Sequence, residues 1–357
     1  MSSLDRLRES LSDLDLSAMV LSNMPSIRWL TGFSGSFGLV VVTADSGVLI
    51  TDSRYTLQAA EQCSVLPTVS FANPKRSEEV LREQVEKLGI RRLGLDHNHV
   101  TVAARQKWQD QMPGVELIPV DDPVDQLRMI KSSAEVDLIR AACRITDDAL
   151  EMLLAKLRPG VSERELFWVF EDFLRQHGAT AAFPPIIVSG PNTARPHGEP
   201  GDRRLESGDF ITFDIGARRN GYCSDITRTV VLGTASDRQR EVYEQLLKAQ
   251  QACVVAMKPG INGRDVDALA RRILDEKSLG QYFGHGLGHG LGALVHDTGR
   301  LSPVSDQLIE AGQIWTIEPG VYIPDFGGAR IEDDIAITDS GCEVLTHFPK
   351  HLIEVAC

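Results

Sequence analysis

The 357-residue chain has no Lys/Arg-rich run, no CxxC pair and no apolar stretch of membrane-spanning length. Without a basic footprint, and with a net charge of -13, it would repel a phosphate backbone, which excludes nucleic acid and anionic membrane surfaces as expected partners. Its six cysteines, Cys63, Cys143, Cys223, Cys253, Cys342 and Cys357, are scattered. That fits reduced thiols in a cytoplasmic protein better than a disulfide framework, and it offers no zinc-finger spacing. Residues 1–14 alternate charge with leucine instead of placing a basic end before an apolar block. They predict an amphipathic helix and not a signal peptide.

The length suits two domains. After the opening helix, short strands are expected at 18–21, 38–43 and 47–51, a helical segment at 55–63, a strand at 68–71, an amphipathic helix at 77–88 and a strand at 92–96. This α/β unit is expected to end where Val120-Asp121-Asp122-Pro123 breaks the periodicity, giving domains 1–124 and 125–357. The second opens at Ser132-Ser133-Ala134-Glu135, a capping box leading into a long helix through Leu157. Within it, Arg158-Pro159-Gly160-Val161-Ser162-Glu163-Arg164-Glu165 is echoed one hundred positions later by Lys258-Pro259-Gly260-Ile261-Asn262-Gly263-Arg264-Asp265. Each copy joins two helices and precedes two strands that carry two acids, so the domain reads as an internal duplication. The fold class expected is α+β.

Five ionisable residues, Asp214, Asp225, His289, Glu318 and Glu332, sit in strand-like, glycine-punctuated stretches of this second domain. A carboxylate is rarely buried there unpaired, because desolvation costs several kcal/mol or neutralises it. The turn Arg218-Arg219-Asn220-Gly221 leaves two registers open for the first acid pair. Asp214 and Asp225 face each other directly, or, with the turn centred on Asn220-Gly221, lie diagonally on one face. Like charges across a ladder are destabilising unless a cation reverses the sign. Four carboxylates and one imidazole form a hard, oxygen-rich set with charge for two divalent ions such as Mn, Co or Zn, the machinery of a hydrolase. In Phe283-Gly284-His285-Gly286-Leu287-Gly288-His289-Gly290, an extended backbone would put His285 and His289 on one face.

The segments Phe213-Asp214-Ile215-Gly216, Ser224-Asp225-Ile226-Thr227-Arg228-Thr229, Gly288-His289-Gly290-Leu291-Gly292, Ile317-Glu318-Pro319-Gly320 and Arg330-Ile331-Glu332-Asp333 resemble the dinuclear metallopeptidases of the pita-bread fold, and among them the Xaa-Pro peptidases, prolidase and aminopeptidase P. The segments Trp29-Leu30-Thr31-Gly32-Phe33-Ser34-Gly35-Ser36 and Thr51-Asp52-Ser53-Arg54-Tyr55 look like the creatinase-type N-terminal domain. The resemblance implies that Asp214 and Asp225 hold one metal, that Asp225, His289 and Glu318 hold the other, and that Glu332 bridges both. It makes Glu318 the proton shuttle, and His197 and His296 the cleft histidines that hold the scissile carbonyl. His285 takes a supporting place, and Arg330 would orient Glu332, meet a substrate carboxylate, or pair with Asp333 or Asp334. Phe183, Tyr222, Phe283 and Trp315 are candidates for an apolar slot for a proline ring.

The activity implied is hydrolysis of the Xaa-Pro bond in di- or oligopeptides by a cytoplasmic homodimer. An Xaa-Pro dipeptidase is favoured over aminopeptidase P. The deciding feature would be a group that reads the proline carboxylate, with Arg28, Arg54 and Arg330 as candidates. A methionine aminopeptidase would not need the leading domain, a creatinase-like enzyme would lack the metal set, and a non-catalytic binding protein would have lost ligands.

Overall fold

The computed structural model describes residues 2–121 and 123–357. Met1 of the opening helix and Asp122 of the acidic turn lie outside the described residues. The chain forms two compact units, Met1–Arg128 and Met129–Cys357.

In the first unit, α1 (Ser3–Asp13) starts at a capping box on Ser2 and Asp5. It is followed by β1 (Ala18–Leu21), α2 (Met24–Thr31), β2 (Leu39–Thr43), β3 (Gly47–Asp52), a 3-10 turn at Ser53–Tyr55, α3 (Thr56–Gln62), β4 (Thr68–Phe71), α4 (Ser77–Lys87), β5 (Arg92–Asp96), α5 (Val102–Gln111) and β6 (Glu116–Val120). The six strands form one mixed sheet in the order β4-β3-β2-β1-β5-β6. Alternation along each strand fills both faces. Met19, Leu21, Val40, Val42 and Leu49 pack with α1 and α2, while Val20, Val41, Val48 and Ile50 pack with α4 and α5. Helix α5 carries no helical period in the sequence, because Trp108 is its one buried residue. Pro123, read as a break, instead opens α6 (Pro123–Met129), a place where its missing N–H costs nothing.

The second unit contains α7 (Ser133–Leu154), α8 (Glu163–Gln176), β7 (Thr180–Ala181), β8 (Ile186–Ser189), β9 (Phe210–Ile215), β10 (Ala217–Arg219), β11 (Tyr222–Cys223), β12 (Ile226–Leu232), α9 (Asp237–Ala256) and α10 (Gly263–Asp275). It continues with β13 (Gly288–Gly290), β14 (Asp297–Leu301), β15 (Ile314–Ile317), β16 (Gly320–Ile323), β17 (Gly327–Arg330), β18 (Asp333–Ile337), β19 (Cys342–Val344) and β20 (Glu354–Val355). The capping box at Ser132 and Glu135 is formed. One helix pair, α7 and α8, packs on the sheet β20-β12-β9-β8, and a second pair, α9 and α10, packs on β14-β13-β15-β18-β19.

The hundred-residue echo is structural as well as sequential. Gly160 N donates to Leu205 O at 2.9 Å and Gly260 N to Ile309 O at 2.9 Å. Isolated bridges pair Ser162 with Arg204 and Asn262 with Leu308. The halves meet between β12 and the β17–β18 strands, where Glu332 N donates to Thr227 O at 3.1 Å. Arg228, buried at this seam, donates to Glu332 O, Phe348 O and Asp333 Oδ1. Lys350 and Thr346 also hold Asp333, so the carboxylate is not orphaned if Arg228 is lost, but the backbone carbonyls of Glu332, Phe348 and Pro349 lose their Arg228 donor. Among the described residues, no helix is long and apolar enough to cross a membrane.

Arg228→Met should therefore destabilise the second unit by about 3 kcal/mol, lowering its melting midpoint by roughly 6–12 °C. Calorimetry that finds the midpoint unchanged would rule out Arg228 as the tie between the halves.

Candidate metal centre

A cavity of about 770 Å³ opens in the second unit, within the size range of small-molecule sites. Asp214, Asp225, His289, Glu318 and Glu332 all line it, as do His197, His285, His296 and Arg330. These nine residues are thus brought to one cavity.

The strands explain how. Asn220 and Gly221 both have positive φ, 51° and 87°, the requirement of a two-residue hairpin turn. Arg219 therefore pairs with Tyr222, and the β9–β12 ladder sets Asp214 against Thr227. This overturns the direct-facing register for Asp214 and Asp225 and selects the diagonal one, with both acids on one face. The second acid pair behaves differently. Ile317 pairs with Asp333 on one side and Gly320 with Arg330 on the other, in one continuous register that sets Glu318 against Glu332. His289 is carried by β13 between two glycines that permit close backbone approach. A Cβ on Gly288 would run into the carbonyl of Thr316, and one on Gly290 into that of Thr298.

The ligand atoms of Asp225, His289 and Glu332 lie within 4.8 Å of one another. His289 Nδ1 is 3.1 Å from the carbonyl of Gly290, which only accepts, so the proton sits on Nδ1 and Nε2 presents a lone pair. That lone pair faces Glu318 Oε1 at 3.4 Å and Asp225 Oδ2 at 3.7 Å, acceptors facing acceptors. Asp225 Oδ1 is buried with no hydrogen-bond partner among the described residues. Burial, then Glu332 and Asp214, push Asp225 well above the usual carboxylate range. Burial, then Glu318 and Asp214, do the same to Glu332. Glu318 is pushed up to about 8, chiefly by burial and against the pull of Arg330. Burial holds His289 down at about 3. A neutral imidazole aimed at crowded acids, one with an orphaned oxygen, is a donor set that fits a divalent cation.

Around this set runs a directional chain. Arg330 ion-pairs with Asp214 and donates to Thr227 Oγ1 and to the Tyr322 hydroxyl. Tyr322 donates in turn to His285 Nε2 at 3.0 Å, because His285 Nδ1 is committed to Gly286 O at 2.8 Å. One expectation is corrected here, that for Arg330, and His285 keeps the supporting place expected of it. Arg330 is buried and clamps Asp214; it neither hydrogen-bonds Glu332 nor pairs with Asp333 or Asp334, and its donors are used inside the protein. His285 lines the cavity with both ring nitrogens occupied, which makes it a support. Asp334 receives the Asp225 N–H at 2.8 Å and Asp333 binds Arg228.

Of the four candidate aromatic residues, only Phe183 lines the cavity, with Phe167, Pro184, Pro185 and Ile186. Trp315 and Phe283 are in the core and Tyr222 donates to Glu135. Strand alternation explains Trp315. Thr316, its neighbour on the opposite face, donates to Glu318 and accepts from His289 N, so Trp315 must point the other way. Tyr322 and Arg300 were missed. Tyr322 follows Glu318 by four residues in a glycine-bounded strand, a proximity that was available; Arg300, an exposed arginine on β14, carries no such signal.

Residues 137–339 match the model of metallopeptidase family M24, and residues 4–130 match the creatinase/prolidase N-terminal domain. The Xaa-Pro dipeptidase of Pyrococcus furiosus is 34% identical over 98% of this chain and 99% of that protein. Among solved structures, an Xaa-Pro dipeptidase from Bacillus anthracis superposes with a TM-score of 0.95 at 39% identity, over 99% of each chain. An X-Pro aminopeptidase from Thermotoga maritima superposes with a TM-score of 0.90 at 33% identity, over 97% of this chain and 100% of that one.

Without metal, Glu318 titrates at about 8 against an ordinary 4.5, so between those values the folded chain binds more protons than the unfolded one and stability falls as pH rises. His289 and His285, depressed to about 3 and about 4, act in the opposite sense, but only below their ordinary 6.5. In chelator, the melting temperature should therefore drop from pH 6.5 to 8, Glu318→Gln should reduce that slope, and added Mn²⁺ should raise the midpoint more at pH 8. A metal-free midpoint that is flat with pH and indifferent to Mn²⁺ would contradict this electrostatic account.

Proposed function

The chain belongs to metallopeptidase family M24, and from that premise we propose that it is an Xaa-Pro dipeptidase, cleaving the bond between an N-terminal residue and a C-terminal proline. The observation that carries this reading is the cation-suited cluster of Asp225, His289 and Glu332 lining a cavity with apolar walls and an arginine, Arg300, that no carboxylate of the described residues pairs with. Asp214, Asp225, His289, Glu318 and Glu332 would hold two divalent ions, Mn, Co or Zn. When bound, such ions make water nucleophilic near neutral pH and polarise a carbonyl.

The remaining chemistry belongs to the chain. Glu318, which lines the cavity beside His289 and accepts from Thr316, is suited to take a proton from water and return it to the proline nitrogen as it leaves. His197 and His296, both exposed to the cavity, are available to hold the scissile carbonyl and the oxyanion that develops from it. Phe167, Phe183, Pro184 and Pro185 offer an apolar wall to a pyrrolidine ring. A tertiary amide has no N–H for positioning, so shape must substitute for that contact.

Arg300 supports the dipeptidase over an aminopeptidase. It lines the cavity, its Nη1 is steadied by the carbonyls of Asp297 and Gly299 at 3.0 and 2.8 Å, and no carboxylate of the described residues pairs with it. Arg330 is committed to Asp214, Arg164 to Asp202 and Arg54 to Asp52. A free proline carboxylate is the partner that Arg300 lacks. Six free cysteines, four of them buried, suit the cytoplasm. A homodimer is part of the same reading, to be tested by sedimentation.

The wild-type protein with Mn²⁺ should hydrolyse Ala-Pro and Met-Pro and leave Ala-Pro-Ala intact; rapid tripeptide cleavage would favour the aminopeptidase. Arg300→Gln should lower kcat/KM on Ala-Pro roughly tenfold to a hundredfold, mainly through KM. It should do little to Ala-Pro amide, and equal losses on both substrates would remove Arg300 from the carboxylate site.

A further inference from the structure

His197 has no hydrogen bond to its ring among the described residues, so its place in the cavity is set by the backbone that carries it. That backbone is the loop of residues 190–200 between β8 and Gly201. Both of its ends converge on one side chain. Glu163, fully buried at the first position of α8, accepts from Ser189 N and Ser189 Oγ, each at 2.8 Å, and from Asn192 Nδ2 at 3.1 Å through Oε1. Its Oε2 accepts from Gly201 N at 3.0 Å. One carboxylate thus closes the loop like a staple, Oε1 holding the first end and Oε2 the second, with Asn192 Nδ2 also reaching Oε2 at 3.4 Å.

Neither helix capping nor the fold of the repeat accounts for this residue. The N-terminus of α8 is already capped by Ser162 and Glu165. In the duplicated half the corresponding position is Gly263, whose surroundings, the Arg300 carbonyl and Ser305, leave little room for a side chain. There the segment carrying His285 is held from one turn further along α10. Asp267 accepts from Leu287 N, and Arg271 donates to the carbonyls of Phe283 and His285. Each half therefore pins its own histidine segment with a buried acid from its second helix, using different residues at different positions.

We propose that Glu163 is the positioning residue for His197: by holding both ends of the 190–200 loop it fixes where the imidazole stands over the scissile carbonyl. The proposal rests on the hydrolytic reading above. It differs from a general stabilising role in one respect, that its effect on turnover passes through the placement of His197 and is not added to the loss of His197 itself. Glu163→Gln keeps the shape of the side chain but presents an amide N–H₂ where an acceptor is needed, releasing one loop end.

The test is a double-mutant cycle in the Mn²⁺-loaded full-length protein, with Ala-Pro as substrate. His197→Ala should lower kcat about 10²- to 10³-fold, and Glu163→Gln between about tenfold and a hundredfold, with Mn²⁺ affinity within twofold of wild type. The double variant should be no slower than His197→Ala. Losses that multiply, or a Glu163→Gln variant as fast as wild type, would overturn the proposal. If Glu163→Gln does not fold, Glu163→Asp, which keeps the charge but is too short to reach both ends, runs the same cycle. Amide hydrogen exchange across 189–201 reads the staple without turnover. Faster exchange in the variant is expected, and unchanged exchange counts against the staple even if the wild type were to cleave no proline peptide.

Discussion

Mutual repulsion among buried carboxylates is the constraint that organises the second unit. Asp214, Asp225 and Glu332 are largely shielded from water, Glu318 nearly so; Glu332 and Asp214 raise the protonation tendency of Asp225, and Glu318 and Asp214 raise that of Glu332. Such a set costs the fold several kcal/mol unless positive charge is supplied. The protein supplies part of it itself, since Arg330 clamps Asp214 from within the wall of the cavity. The rest is left for divalent cations, and the neutral His289 is oriented to share them.

Duplication provides the frame in which those charges can be held, but the halves are not equivalent where it matters. The backbone turns and bridges repeat faithfully, whereas the acids do not. The Asn220-Gly221 turn places the aspartates diagonally, and the continuous register of β15–β18 and β16–β17 places the glutamates face to face. A symmetric scaffold thereby builds an asymmetric centre. The same divergence reaches the supports of the histidine segments, where Glu163 serves one half and Asp267 the other.

The five acid and imidazole positions were legible in the sequence because a charge inside an apolar strand contradicts its own surroundings. The opening strands were legible because they alternate cleanly on both faces. What stayed hidden depended on distant partners. Arg330 meets Asp214 across 116 residues, and nothing near either one indicates it. The register of the aspartate hairpin hung on whether Asn220 would adopt a positive φ, a choice left open by the four-residue turn. Aromatic residues near the motifs were misleading for a local reason. A strand that turns Thr316 and Glu318 toward the cavity must turn Trp315 and Ile317 into the core. Arg300 looked like any exposed strand arginine until the cavity gave it a context.

The central claim is that the acid cluster exists to hold divalent cations for peptide hydrolysis. Equilibrium dialysis of the chelator-stripped protein against Mn²⁺, with bound metal counted per chain, tests it most directly. Two ions per wild-type chain are predicted, with at least one lost in Asp225→Asn and in Glu332→Gln and dipeptide hydrolysis falling with them. A stripped protein that binds no Mn²⁺, Co²⁺ or Zn²⁺, or that hydrolyses Ala-Pro equally well without metal, would contradict the account.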